Sequence, residues 1–321
     1  MVRFFVMASF LCLPYHAFAW GFYGHQQINY QAVFLLPPDM LVFFKPHIDY
    51  LKSHSVDPDK RRYLLEQEGP RHYIDLDHYG PAPYASLPRD WKTALAACSY
   101  DSLMRYGIAP WWIQVMLQRL TQAFAAKDPE QIVKNAAEIG HYIADIHVPL
   151  HACSNHNGQF TGQHGIHGFW ESRVPELLAE KEWDLLIGRA RYYKDPLALT
   201  WRRVLQSAAA ADTVLEVEKK LRARFSSDQV YAFEERNGQL VRQFSAAYTL
   251  AYDRLLAGMI ERRMRESIEA VASFWLTAWV NAGQPPLSSM AKRPLSAQPM
   301  QWLQQLEEAY KNNPIKGREH D

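Results

Sequence analysis

Cysteine is scarce in this chain, with three residues among 321. Cys12 lies near the start, and only Cys98 and Cys153 follow it. One remaining pair gives no disulfide framework, so a scaffold held together by several bridges is excluded. In an oxidising compartment these two residues fit either a single disulfide or two buried free thiols.

An excess of positive charge is also lacking. The chain has 35 Lys and Arg residues against 34 Asp and Glu residues, which gives a formal net charge of +1. Proteins that bind long nucleic acids through many phosphate contacts usually carry a clear basic excess. Any attraction for phosphate in this chain must therefore come from a local site.

Long apolar runs are missing after residue 20, so no stable membrane span is expected. The first 19 residues are different, because Arg3 precedes an apolar run and Ala17-Phe18-Ala19 has the form of a signal-peptidase site. Residues 1–19 are thus predicted to be a signal peptide. Cleavage before Trp20 predicts a secreted or periplasmic protein, and the loss of Arg3 leaves it with no net charge.

Alternation of apolar and polar residues, the pattern typical of strands, is scarce as well. Residues 26–36, 129–147 and 240–281 instead carry apolar residues at helical spacing, and prolines stand at several of the ends. The pattern predicts an all-α fold with a single multi-helix domain over residues 20–283. Residues 284–321 are predicted to form a C-terminal strap or tail that includes a short polar helix.

Histidine, in contrast, is abundant and clustered. The chain has 13 histidines, and six of them lie in one short region: His141, His147, His151, His156, His164 and His167. A surface loop has no reason to concentrate imidazoles, whereas zinc favours imidazole together with carboxylate. The cluster therefore indicates a metal site.

The spacing within the cluster supports this interpretation. His141 and Asp145 are four residues apart on a predicted helix, and so are His167 and Glu171 further along, so each pair projects from one helix face. A proline ends the first helix, which allows His151 to turn back toward the same space. Each pair alone is more typical of a solvated helix surface, but two pairs with a histidine between them favour metal.

These residues form the motif His-x3-Asp-x5-His followed by His-x3-Glu. In this respect the chain resembles the superfamily of trinuclear zinc phosphodiesterases. The superfamily contains the single-strand nucleases of the S-one/P-one family and the bacterial zinc-dependent phospholipases C. The resemblance implies an all-α, exported enzyme with three zinc ions at the bottom of a cleft, and a monomer is expected.

The resemblance also implies a set of ligands for each ion. The first zinc would take Asp57, His72, His141 and Asp145. The second would take His151, His167 and Glu171, and the third would take His25, Asp145 and the amine and carbonyl of Trp20. Asp59 is a rival for Asp57, which is preferred because its fifteen-residue separation from His72 matches the nuclease branch.

The chemistry of such a centre is hydrolysis of phosphoric diesters. Zinc lowers the pKa of bound water to about 7, so a metal-bound hydroxide is available at neutral pH to attack phosphorus. Asp145 and Asp57 would be catalytic through the ions that they hold. Lys60 stands where the nucleases have an arginine, and it can offer positive charge to a phosphate.

The favoured substrate is single-stranded RNA or DNA, or nucleotides, with release of 5′-phosphates. His25 follows Trp20 by five residues, as in the nuclease branch, Tyr73 falls where an aromatic ring supports the base, and Asp75 can bond a base edge. Ordinary packing is an equal interpretation of Tyr73. The short separation of His151 from His167 favours the alternative, a phospholipase C acting on phospholipid head groups. A non-catalytic zinc-binding periplasmic protein is a second alternative.

Overall fold

The structure is a computed structural model that describes residues 21–236, 238–291 and 298–318. Helices dominate these ranges, which confirms the all-α prediction. The α-helices are α1 (Gly21–Val33), α2 (Pro38–Phe44), α3 (Ile48–Ser53), α4 (Asp57–Arg61), α5 (Trp91–Cys98), α6 (Tyr100–Tyr106), α7 (Ala109–Ala126), α8 (Pro129–Asp145), α9 (Ile166–Gly168), α10 (Val174–Glu182), α11 (Pro196–Arg222), α12 (Ser227–Val230), α13 (Ala246–Leu255), α14 (Met259–Asn281) and α15 (Gln298–Asn312). Within the described ranges, no helix combines the length and the apolar character needed to cross a lipid bilayer. The predicted signal peptide and Trp20 lie outside these ranges.

One antiparallel hairpin interrupts the helices. Strand β1 (Tyr231–Arg236) pairs with β2 (Gln239–Phe244), and Tyr231 lies opposite Phe244. The helical prediction for residues 240–281 is therefore wrong in its first residues. The sequence did contain a signal, because an Asn-Gly pair between two runs of strand-forming residues is the strongest short-range sign of a hairpin.

Helix α8 lies at the centre of the molecule and packs against α1, α3, α7 and α14. The carboxylate of Asp128 caps its start by accepting hydrogen bonds from the backbone N–H groups of Glu130 (3.1 Å) and Gln131 (3.2 Å). From residue 135 to its end every residue of α8 is buried. The last turns of this helix therefore bring His141 and Asp145 into the interior.

Helices α1 and α8 approach each other closely. The side-chain amide of Asn29 donates to the carbonyls of Leu51 and Ala137, at 3.0 Å each. A methyl group at Gly140 would lie only 2.0 Å from Asn29 Oδ1, so glycine is required at this contact. The close approach places His25 of α1 against His141, with ring centroids 3.8 Å apart.

Residues 298–318 form the C-terminal strap, the described end of the predicted strap or tail. Its helix α15 packs on α4. The ring of Tyr310 lies 5.6 Å from that of Phe22 and 5.2 Å from that of Tyr63. Leu306 and Ala309, two residues of α15, are buried. The helix is therefore anchored by apolar contacts.

The two remaining cysteines are not joined. Cys98 ends α5, and Cys153 follows the 3-10 turn Pro149–Ala152. Both are free and half-buried. Of the two alternatives left open by the sequence, the structure has the free thiols.

Candidate metal centre

Three groups of buried histidine and carboxylate side chains meet near the end of α8. They are His25, His141 and Asp145; Asp59, His72 and His141; and His151, His167 and Glu171. Within each group the potential ligand atoms lie within 4.8 Å of one another. The sequence predicts nine metal ligands. One of them, Trp20, lies outside the described residues. Of the other eight, the structure brings seven together, and Asp57 lies outside the three groups.

Local structure explains how the chain supplies the third group. After α8, the 3-10 turn Pro149–Ala152 returns His151 to the interior, as the sequence indicates. His167 lies in α9, which continues through a π-helical turn, Phe169–Arg173, that carries Glu171. The His167 Nε2 and Glu171 Oε2 atoms are 3.0 Å apart. Single π-turns inside helices often occur at functional sites.

Backbone carbonyls fix the orientation of three of these imidazoles. The Nδ1 atoms of His141, His151 and His167 lie 2.8, 2.6 and 3.0 Å from the carbonyl oxygens of Ser55, His72 and His156, respectively. A carbonyl only accepts hydrogen bonds, so each Nδ1 carries the proton. In the neutral rings the Nε2 lone pairs therefore point toward the other ligand atoms, which is the arrangement typical of metal-binding histidines.

The distances between the ligand atoms fit zinc. The Nε2 atoms of His151 and His167 are 3.1 Å apart, although both carry lone pairs in this tautomer. Two lone pairs at this distance repel unless a cation lies between them. Zinc–nitrogen bonds of about 2.0–2.1 Å at a tetrahedral angle separate the two nitrogens by roughly 3.4 Å. The His25 Nε2 to Asp145 Oδ1 distance, 3.4 Å, has the same value.

Buried oxygens point to the same conclusion. Both carboxylate oxygens of Asp59 and the Oδ1 atom of Asp145 are buried, and they have no hydrogen-bond partner among the described residues. A buried carboxylate oxygen without a partner is costly in free energy unless it binds a cation. The residues present therefore fit a bound metal.

The pKa values of His151, His167 and Asp145 favour the protonation states that metal ligands need. Burial lowers the pKa of His151 to about 4 and that of His167 well below its ordinary value, so both rings are neutral at pH 7. Burial raises the pKa of Asp145, but His141 and His151 outweigh it and hold that pKa well below its ordinary range. Burial lowers the pKa of His141, but the carboxylates of Asp145 and Asp59 outweigh it and raise it to about 9. A metal ion would take the place of the extra proton on His141.

The position of Asp57 corrects one expectation from the sequence. Its carboxylate lies 2.8 Å from His54 Nδ1 and is outside the three groups. Asp59 lies 3.5 Å from His141 Nε2 and 3.7 Å from His72 Nδ1. The two aspartates are two residues apart on α4, so they project in nearly opposite directions. The structure thus places Asp59, the rival candidate, in the group with His72 and His141. The catalytic contribution through a metal that the sequence assigned to Asp57 would then belong to Asp59.

Lys60 is engaged by the C-terminal strap. Its ammonium group forms an ion pair with Glu307 and lies 5.7 Å from the centroid of the Phe22 ring. The positive charge that the sequence assigned to a substrate phosphate is therefore balanced by a carboxylate in this structure.

Tyr73 and Asp75 lie together next to the metal ligands, and the strap covers both. The guanidinium carbon of Arg318 lies 4.0 Å from the Tyr73 ring centroid, and Arg318 Nη1 donates to both Asp75 oxygens at 2.7 Å. With Arg318 in place, Tyr73 is 3% exposed and Asp75 is 5% exposed. Sequence reasoning missed Arg318, because a contact between residues 243 positions apart leaves no local pattern.

Glu68 is a second residue that sequence reasoning missed. This fully buried carboxylate accepts hydrogen bonds from Arg61, Arg71 and Tyr142, and it lies 3.7 Å from His72 Nε2. Burial raises its pKa, but His72 and the arginines outweigh burial and hold the pKa well below its ordinary value. A carboxylate behind a ligating imidazole fixes its orientation. The signal was the four-residue spacing of Glu68 and His72.

Most of the chain, including the buried clusters, matches one family of known proteins. A family model described as zinc dependent phospholipase C matches residues 24–227. The matched range includes His25, Asp59, His72, His141, Asp145, His151, His167 and Glu171. A search of the curated proteins finds no significant match.

Proposed function

The chain belongs to the zinc-dependent phospholipase C family, so it is a zinc-dependent phosphodiesterase, and we propose that its substrate is a phospholipid with a cationic head group. The observation that supports this substrate is the guanidinium group held between Tyr73 and Asp75. An aromatic face and a carboxylate together bind a cation. A choline or ethanolamine head group carries its positive charge close to the phosphodiester phosphorus. Such a substrate can place its cation on these two residues and its phosphate over the metal ligands.

We infer that three zinc ions are bound. The first would be held by Asp59, His72, His141 and Asp145; the second by His151, His167 and Glu171; and the third by His25, Asp145 and the amine and carbonyl of Trp20. Zinc supplies a Lewis acid that lowers the pKa of bound water and offsets the negative charge on phosphate oxygens. The protein holds the imidazoles in the ligating tautomer through backbone carbonyls and keeps the carboxylates ionised.

We also infer that residues 1–19 are removed during export to the periplasm or the medium. Gly21, the first described residue, lies close to Ser172. The space between them is so small that a methyl group on Gly21 would be 2.5 Å from Ser172 Oγ. Ser172 follows the ligand Glu171, so the start of α1 lies beside a ligand group. This placement supports a metal ligand at a newly formed terminus. Sequencing of the secreted protein should give Trp20 as its first residue, and a terminus elsewhere contradicts the inference.

A nuclease acting on single-stranded RNA or DNA, with release of 5′-phosphates, is the second candidate. The same aromatic ring of Tyr73 can stack on a base, and Asp75 can accept a hydrogen bond from its edge. Membership of a phosphodiesterase family argues against the non-catalytic zinc-binding protein that the sequence left open.

The deciding experiment is a side-by-side assay of the purified, zinc-loaded protein. Phosphatidylcholine micelles, phosphatidylglycerol micelles and single-stranded RNA are incubated with equal amounts of enzyme. We expect release of phosphocholine, slower cleavage of phosphatidylglycerol and little degradation of RNA. Degradation of RNA without lipid cleavage contradicts the proposal and promotes the nuclease.

A variant isolates the recognition of the cation. Asp75→Asn removes the carboxylate, so it should raise the KM for phosphatidylcholine roughly tenfold relative to the KM for phosphatidylglycerol, which has no cation. The ratio cancels any effect of the variant on the strap, which is common to both lipids. Asp77→Asn is the matched control, because Asp77 bonds the backbone N–H of Ser154 instead. An unchanged ratio in Asp75→Asn argues against a cationic head group at this position.

A further inference from the structure

The C-terminal strap has two parts that differ in how firmly they are held. Helix α15 packs on α4, its Leu306 and Ala309 are buried, and its Tyr310 ring contacts the ring of Tyr63. Residues 311–314, in contrast, are exposed. A segment with few buried contacts opens at low cost in free energy. The exposed residues 311–314 can therefore change their path, which lets the end of the strap leave the surface while α15 stays in place.

Beyond α15 the strap follows the loop that precedes His72. The backbone N–H of Lys316 donates to the carbonyl of Arg62 at 2.9 Å, and its ammonium donates to the carbonyl of Leu64 at 3.0 Å. The side-chain amide of Asn313 donates to the carbonyl of Tyr63 at 3.4 Å. These contacts guide the chain across the loop to the edge of the metal centre.

Arg318 then occupies the pocket formed by Tyr73 and Asp75. Its own carbonyl accepts a hydrogen bond from Arg62 Nη2 at 2.5 Å, and its Nη2 lies 3.4 Å from the carbonyl of Cys153. Tyr73 directly follows the ligand His72, and the backbone N–H of Ile74 donates to the carbonyl of the ligand His151 at 2.9 Å. The pocket therefore adjoins the proposed metal ligands.

We propose that the C-terminal strap inhibits its own enzyme, with Arg318 in the place of the substrate's positively charged group. This inference rests on the proposed function, since it requires a cationic substrate group at Tyr73 and Asp75. A substrate cation cannot contact these two buried side chains until Arg318 has moved. The strap and the substrate thus compete for one pocket. The apparent affinity for substrate equals the intrinsic affinity multiplied by the fraction of molecules in which the pocket is open.

The test compares Arg318→Ala and Arg318→Gln with the unchanged protein, using p-nitrophenyl phosphorylcholine as substrate. Both variants should lower the KM roughly tenfold with little change in kcat, because they remove a charged hydrogen bond that closes the pocket. Lys311→Ala is the matched control: it removes the same charge from the strap, but Lys311 is an exposed residue in the last turn of α15, so its KM should not change. A KM that is unchanged or raised in the Arg318 variants overturns the proposal.

A second readout does not depend on turnover. Transfer of zinc from the protein to a chelating dye should be several-fold faster in the two Arg318 variants than in Lys311→Ala, because an open strap exposes the ligands. Faster transfer in a protein that cleaves no phosphorylcholine ester supports the covering strap and refutes the proposed substrate. Equal transfer rates in all variants overturn the strap, whatever the substrate is.

Discussion

At the residue scale, the charge of Asp59 is compensated only by the imidazoles that it faces. It is completely buried, both of its oxygens lack hydrogen-bond partners among the described residues, and its nearest groups are two imidazoles. Asp57, two residues earlier, is in contact with His54, and this contact is only partly buried. The two aspartates share a helix and differ only in what they face.

This difference gives a paired prediction. Asp59→Asn should lose about one equivalent of zinc per chain and most of the activity. The substitution removes an anionic ligand from the group that contains His72 and His141. Asp57→Asn should keep the full metal content. Elemental analysis of the two purified variants measures this directly, and loss of zinc in Asp57→Asn with retention in Asp59→Asn would reverse the assignment.

At the element scale, the contact between α1 and α8 sets the position of His25 relative to His141. Alanine is intrinsically better than glycine inside a helix by about 1 kcal/mol. At residue 140, however, the added methyl group would lie 2.0 Å from Asn29 Oδ1. Overpacking of this kind costs about 1–3 kcal/mol, so the contact outweighs the helix propensity.

Gly140→Ala should therefore destabilise the fold despite being a helix-favouring change. The matched control is Gly188→Ala, since a methyl group there would meet nothing within 4 Å. Urea unfolding should give a lower midpoint for Gly140→Ala and a change within about 0.5 kcal/mol for the control. A Gly140 variant as stable as the original chain would mean that α1 can move away from α8 without cost.

Helix α13 carries an acidic group whose pKa makes the stability depend on pH. Burial, followed by repulsion from Glu182 and Glu261, raises the pKa of Asp253 from 3.8 to about 6. The folded protein therefore holds this proton more tightly than the unfolded chain does. Stability from this source is present below pH 3.8 and is lost as the pH rises through 6.

Asp253→Asn removes this loss, because the amide does not ionise. The variant should be more stable than the original chain above pH 6, by about 1 kcal/mol after allowance for partial exposure to solvent. Near pH 4 the two should be equally stable. Thermal unfolding of both proteins from pH 4 to pH 8 measures the difference, and a constant difference across that range would contradict the raised pKa.

At the scale of the whole molecule, the metal ligands come from helices and loops that are far apart in the chain. The imidazoles and carboxylates of these groups are buried, so zinc bound to them acts as a link between α1, α4, α8 and the helix that carries His167 and Glu171. Ligands that bind only the folded state stabilise it, by about 4 kcal/mol at a concentration a thousand times their dissociation constant. Metal content should therefore control the stability of the entire fold.

Chelation tests this directly. Treatment with EDTA should lower the unfolding temperature of the whole chain, and added zinc should restore it. Magnesium should not, since it prefers octahedral oxygen ligands over imidazole. An unfolding temperature that is the same with and without chelator would mean that the clusters are stable without metal.

Much of this architecture could be predicted from sequence, and the exceptions share a cause. The four-residue spacing of His141 with Asp145 and of His167 with Glu171 is a property of the helix itself, so it was visible locally. The choice between Asp57 and Asp59 depends on which face α4 turns to the interior, which the rest of the fold determines. Arg318 reaches its pocket only through tertiary packing. Even the hairpin, although it had a turn signal, was hidden by apolar residues that suit a helix equally well.

The backbone carbonyls of Ser55 and His156 have a consequence for how such a site changes during evolution. They hold the rings of His141 and His167 through main-chain atoms, and every amino acid supplies the same carbonyl oxygen. The side chains at positions 55 and 156 do not set the ligating tautomer, so a substitution that fits the local packing and keeps the backbone path leaves it intact. Among relatives, the ligands themselves should stay fixed while the residues that aim them drift.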